Sequence, residues 1–149
     1  MKYLMITAGI FLAELFLKGN VEKNWPMHRD KSMLKGALRL RRYHNRGAFL
    51  NFGEKNTALV AAVSVGLTAG LFVYSLLTFF QGGNRGLKAG LSLLLGGAFS
   101  NTYDRLHRKY VVDYFSFHTG IKAFDRIVFN LADFAIMAGV MLCVIANGG

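Results

Sequence analysis

Two carboxylates in this chain stand where a carboxylate is costly. Asp133 lies inside the apolar run 127–146, and Asp113 closes Tyr110-Val111-Val112 ahead of the aromatic cluster Tyr114, Phe115 and Phe117. Near the middle of a bilayer a carboxylate costs roughly 2.5–3.5 kcal/mol even on the lenient insertion scale, so such a group normally faces a polar cavity. Two of them together suggest a site. Carboxyl groups held close cannot both ionise cheaply; one keeps a proton while the other stays charged, and the pair becomes an acid and a base able to activate water. The competing reading leaves Asp104, Arg105 and Asp113 as solvated interface charges and pairs Asp133 with a Lys or Arg as structural glue.

The surroundings of these residues belong to a membrane protein. Apolar residues make up 53% of the 149-residue chain, and the mean hydropathy is +0.33. No charged residue occurs between Lys55 and Arg85, a stretch longer than the roughly 20 residues a spanning helix needs. The net charge of +10 would point a soluble protein toward nucleic acid. Here the basic residues flank apolar segments, where each gains about 1 kcal/mol from anionic headgroups, so anionic membrane lipid is the expected partner and nucleic acid is not. The lone Cys143 rules out a disulfide framework and a thiolate cluster. His28, His44, His107 and His118 fall at no ligand spacing, so no metal and no cofactor are expected.

Four segments would position the carboxylates. The first, residues 3–17, carries Glu14 near its end with Lys18 four residues later, either a terminal ion pair or part of a site. It is followed by Lys18-Gly19-Asn20 rather than a small-x-small cleavage pattern, so it is expected to be retained. Residues 19–56 turn basic and polar: Trp25-Pro26 breaks any helix, Leu38-Arg39-Leu40-Arg41 alternates as a half-exposed strand does, and Asn45-Arg46-Gly47 supplies a turn before Phe49 and Phe52. Segment 57–80 is uncharged and contains Gly66-x-x-x-Gly70, a spacing for close helix approach. Segment 87–104 has Gly96 and Gly97 for tight packing and ends in Asn101, Asp104 and Arg105, which share one face. Residues 106–126 form a basic, aromatic link holding Asp113. Segment 127–146 places Asn130 and Phe129 one turn before Asp133, where the amide can hydrogen-bond the acid and tune it. The expected fold is therefore all-α, four transmembrane helices in a single membrane domain over 1–149, with a small extramembrane β-sheet insert on the bilayer surface. All of the 18 Lys and Arg except Lys2, Arg85 and Lys88 fall in the links after the first and third segments, which by charge bias alone puts those links in the cytoplasm.

Three blocks of the chain resemble the prolipoprotein signal peptidase (signal peptidase II) family of intramembrane aspartyl proteases. The most specific are Gly96-Gly97-Ala98-Phe99-Ser100-Asn101 leading to Asp104-Arg105 and Val111-Val112-Asp113, then Phe129-Asn130-Leu131-Ala132-Asp133 with Gly139; His44-Asn45-x-Gly47-Ala48-Phe49 is weaker. The resemblance implies that Asp113 and Asp133 are the catalytic pair, with Asn45, Gly97, Asn101, Asp104, Arg105 and Asn130 lining or supporting the site. It implies an endopeptidase without cofactor that cuts diacylglyceryl-modified prolipoproteins N-terminal to the lipidated Cys. It places a multi-pass chain in the bacterial cytoplasmic membrane with both ends cytoplasmic and the site toward the outer face, against the charge bias; the chain is read as a monomer. Departures from the family pattern fit a divergent member: Glu14-Leu15 where Asp-Gln precedes a Lys, Ser100 and Lys109 where Gly is usual, Arg46 where Pro is common, and an Ala48-Phe49 stretch one residue short. A non-proteolytic member of the same fold that binds lipidated peptides without cutting is the alternative.

Overall fold

The structure, a computed structural model, describes residues 1–27, 30–48, 53–122 and 124–148. It is mostly helical. Among these residues the helices are α1 (Lys2–Asn24), α2 (Thr57–Phe80), α3 (Arg85–His107) and α4 (Leu131–Asn147), and the strands β1 (Lys31–Met33), β2 (Leu38–Asn45) and β3 (Val111–Phe117) form one antiparallel sheet in the order β1-β2-β3. His28, Phe49 and Phe52 lie outside the described residues.

Many of the buried side chains are polar, and much of the exterior is apolar. Glu14, Lys18, Ser92, Asn101, Asp104, Asp113, Ser116 and Asn130 are buried, while Leu59, Val63, Leu67, Val73, Leu77 and Phe80 on α2 are exposed. That distribution is expected where hydrocarbon rather than water surrounds the helices. Two helical stretches, Lys2–Asn24 and Glu54–Phe80, are long and apolar enough to cross a membrane; α4 is apolar but shorter. The polar α3 is the most buried helix and packs against α1, α2 and α4.

Glycines set these packings. A Cβ on Gly96 would stand 3.0 Å from Thr7 O and 2.9 Å from Ile10 Cβ of α1, and one on Gly97 only 2.5 Å from Ala132 O of α4. Gly90 and Gly139 face each other, since a Cβ on either would come within 2.8 Å of the other's carbonyl oxygen. The Gly66-x-x-x-Gly70 spacing does not pack in this way, because a Cβ at either position would meet nothing within 4 Å.

Three element boundaries differ from the expectation. Helix α1 continues through the supposed start of the insert to Asn24: one Gly19 lowers helix stability by only about 1 kcal/mol, and the first real breaker is Pro26, before which Trp25 turns extended (φ −103°, ψ 128°). Glu14 and Lys18 are thus mid-helix and buried, not a terminal pair. The link 106–126 contributes β3, which pairs along β2. Helix α4 starts at Leu131 rather than 127, because Phe129 exchanges backbone hydrogen bonds with Phe115 of β3 (Phe129 N to Phe115 O, 2.7 Å; Phe115 N to Phe129 O, 3.0 Å) and cannot also be helical. Phe129 is therefore not on a helical face with Asp133. At the end of α3, Lys109 adopts φ +67°, the left-handed conformation that glycine takes at least cost.

Candidate active site

The site is built where β3 meets the first turn of α4. Asn130 is the N-cap of α4: its Oδ1 accepts from Asp133 N (3.0 Å), and Asp133 Oδ2 accepts from Asn130 N (3.0 Å), a reciprocal capping box. Asp133 is consequently the third residue of the helix, held at its N-terminal end rather than at mid-span. Its second oxygen, Oδ1, accepts from Asn101 Nδ2 of α3 (3.0 Å).

Asp113 comes from β3. Its exposure is 2%. Opposite it on β2 stands Tyr43, and two residues further along the same face Asn45 donates from Nδ2 to Asp113 Oδ2 (3.2 Å). Asp113 Oδ1 accepts from Asn130 Nδ2 (2.6 Å). One asparagine thus holds both acids, Asp113 with its side-chain amide and Asp133 with its backbone N–H. Burial, followed by the nearby Asp133 charge, pushes the Asp113 carboxyl up to about 8; the bonds from Asn45 and Asn130 and the charge of Lys18 act in the opposite direction. Among the described residues neither Asp113 nor Asp133 forms an ion pair, which removes the structural-glue reading of Asp133.

Asp113, Asp133, Asn45, Asn101 and Arg105 line one cavity of about 240 Å³, closed on its other side by Val128, Phe129, Ile136 and Met137. Arg105 donates to Asn101 O (3.3 Å) and Gly47 O (3.2 Å), and among the described residues its guanidinium, on the cavity wall, forms no ion pair with a carboxylate. A larger apolar cavity of about 620 Å³ between α1, α2 and α3 carries no charged side chain and lies away from both acids.

The other expected residues stand behind the cavity. Asp104 accepts from Val112 N (3.1 Å) and pairs with Arg108 (2.6 Å) and Lys18 (3.2 Å), so it anchors β3 to the end of α3 without touching either Asp113 or Asp133. Gly97 contributes the space that lets Ala132 and hence Asp133 approach α3. Sequence reasoning left Ser100 and Tyr114 out of the site and held a site role for Lys18 as one of two readings. Lys18 Nζ, 1% exposed, donates to Ser100 Oγ (2.9 Å) and Asn101 Oδ1 (2.8 Å) and lies 3.9 Å from Glu14. Because an ammonium only donates, Lys18 fixes the Asn101 amide with its Nδ2 toward Asp133. The signal available was the pair Glu14 and Lys18 inside an apolar helix; with that helix ended at 17, a terminal ion pair and a part in the site stood as equal readings.

A buried and a half-buried carboxyl on a shared asparagine stand in a mostly helical bundle, and solved structures have that fold. Two bacterial membrane enzymes determined by the in meso method superpose with TM-scores of 0.83 and 0.80 at 21% identity, over 98% of this chain and 87% and 92% of theirs. The signal peptidase (SPase) II family pattern matches residues 6–147. Proteins named lipoprotein signal peptidase are similar over nearly the whole chain: 32% identity with that of Geobacillus thermodenitrificans (96% of this chain, 87% of the relative), 34% with that of Mesorhizobium japonicum (95% and 81%), and 29% with that of Lactobacillus johnsonii (96% and 89%). The chain belongs to the signal peptidase II family.

Proposed function

We propose that this chain is a lipoprotein signal peptidase that removes the signal peptide of diacylglyceryl-modified prolipoproteins, on the N-terminal side of the lipidated Cys, with water activated between Asp113 and Asp133. The observation that carries this is the geometry around Asn130: two carboxyls, from β3 and from the start of α4, meet on one asparagine at the wall of one cavity, and among the described residues neither forms an ion pair. At neutral pH Asp113, with its carboxyl pushed up to about 8, holds the proton. Ionised Asp133 takes a proton from water as it attacks the peptide carbonyl. Asp113 polarises that carbonyl and then protonates the leaving amine. The Arg105 guanidinium on the cavity wall is placed to hold a substrate carbonyl oxygen.

All four helices span the membrane in this reading. The basic sheet lies on the outer surface against anionic lipid, and both chain ends are cytoplasmic. The apolar side of the cavity, with Ile136 and Met137, meets the lipid-bearing part of the substrate.

The test is a lipidated precursor peptide incubated with the purified protein in detergent. Asp113→Asn and Asp133→Asn each abolish product, a loss on the order of 10³-fold or more, while the variants stay folded and inserted. Product from both variants at wild-type rate would dismiss the acid pair, and binding without product from the wild type would establish the non-proteolytic alternative. The active form needs the proton on Asp113, which is present below about pH 8 and lost above it, so cleavage declines as pH rises through about 8. A rate that stays flat to pH 10 contradicts the assignment of Asp113 as the acid. Labelling an engineered Cys near Arg41 in intact cells, in a Cys143→Ser background, tests orientation; labelling confined to permeabilised cells reverses it.

A further inference from the structure

The amides of α4 that precede Asp133 are satisfied by residues from two other elements. A helix start leaves its first N–H groups without intrahelical partners, and in a bilayer no water is at hand to take them. Asn130 caps the third residue of α4, Asp133 itself. The first and second are capped from outside. Leu131 N donates to Tyr114 Oη (2.9 Å), and Ala132 N donates to Glu14 Oε1 (2.5 Å). Tyr114 Oη in turn donates to the same Glu14 oxygen (3.1 Å). Glu14 has 0% exposure and Tyr114 8%. Tyr114 follows Asp113 in β3, so a single hydroxyl joins the strand that carries one acid to the helix turn that carries the other.

We propose that Glu14 and Tyr114 are positioning residues for the acid pair: together they clamp the first turn of α4 against α1 and β3 and so set the place of Asp133 relative to Asp113. This rests on the catalytic reading above. The chemistry needed of Glu14 is an oxygen acceptor at the length of a glutamate, reaching across from α1; the chemistry needed of Tyr114 is a hydroxyl that accepts from one amide and donates to that oxygen. Asn130 holds the acids from the cavity side and the clamp holds them from behind, so loss of the clamp leaves the acids present but displaced. Misplacement of a reacting group by about 1 Å costs on the order of 10²-fold in rate.

The test compares Glu14→Leu, Glu14→Gln, Glu14→Asp and Tyr114→Phe in the lipidated-peptide assay, with the folded fraction of each measured by thermal unfolding in the same detergent. Glu14→Leu lowers kcat by about 10²-fold and Tyr114→Phe by about 10-fold, with KM within a factor of two or so of the wild type. Glu14→Gln, which keeps an acceptor oxygen at the same length, restores kcat to within about 3-fold, whereas Glu14→Asp, one carbon shorter, does not. The double variant Glu14→Leu with Tyr114→Phe is no worse than Glu14→Leu alone, because both changes open the same clamp. Wild-type kcat in folded Glu14→Leu or Tyr114→Phe overturns the proposal, and so does a loss of kcat that only tracks the folded fraction. If Glu14→Leu does not fold, Tyr114→Phe decides alone by the same criteria. Asp113→Asn and Asp133→Asn run alongside: if they cleave, the catalytic reading fails, and if they are inactive while the clamp variants keep wild-type kcat, only the positioning role fails.

Discussion

Helices α2 and α3 are neighbours joined across Gln81-Gly82-Gly83-Asn84, and they solve opposite problems. Helix α2 has no charged residue, buries only Thr68 and Ser75, and presents Leu59, Leu67, Val73, Leu77 and Phe80 outward. Helix α3 buries Lys88, Ser92, Ser100, Asn101, Thr102 and Asp104 and is sheltered by the other three helices. Apolarity alone therefore picks out the helix least concerned with the site. The polar groups of α3 are satisfied by its neighbours: Lys18 from α1, Asp133 from α4 and Thr68 from α2, whose hydroxyl lies 2.8 Å from that of Thr102.

Three substitutions sharpen the contrast. Lys18→Met removes the cation that α3 depends on and leaves Asp104 and Glu14 buried without it. Loss of one partner of a buried pair costs about 3–5 kcal/mol, so unfolding in detergent should occur far below the wild-type temperature; an unchanged midpoint would mean that the network around Lys18 is ornamental. A smaller effect is expected at Gly97, where Gly97→Ala drives a methyl into Ala132 O and costs about 1–3 kcal/mol. Cleavage should fall with it, because Asp133 shifts with Ala132. The weakest effect, of opposite sign, belongs to α2. Gly66→Ala enters open space in a regular helix and is expected to stabilise by about 0.4–1 kcal/mol; destabilisation there would reveal a partner packed on that face.

Legibility in the sequence followed the same division. The uncharged span of α2 was plain from composition, and the shared face of Asn101, Asp104 and Arg105 was plain from helical spacing. The strand at Leu38 to Arg41 was visible because apolar and charged residues alternate along it, although every residue of β2 is half-buried in the structure. Strand β3 was not visible as a strand: Val111 to Tyr114 are buried in succession, and a strand covered on both sides loses the alternation that marks it. The start of α4 was misplaced because apolar Ile127 to Phe129 read as helix, although Asn130-Leu131-Ala132-Asp133 carries a side-chain pattern that begins one. Ending α1 at 17 left the choice between a terminal ion pair and a site role for Glu14 and Lys18 open, whereas the two are mid-helix and held by α3 and α4. Two departures from the family pattern, Glu14 and Ser100, meet in that network, so their meaning became readable only once α1 was seen to pass beside α3.

Asn130 gives the site a built-in gauge. With one side-chain amide on Asp113 and one main-chain amide on Asp133, Asn130 ties the two acids together through a few covalent bonds, in front of the helix turn that Tyr114 and Glu14 cap from behind. A shift of the strand against the helix start is therefore felt at both ends of the same residue, and the two carboxyls report it together.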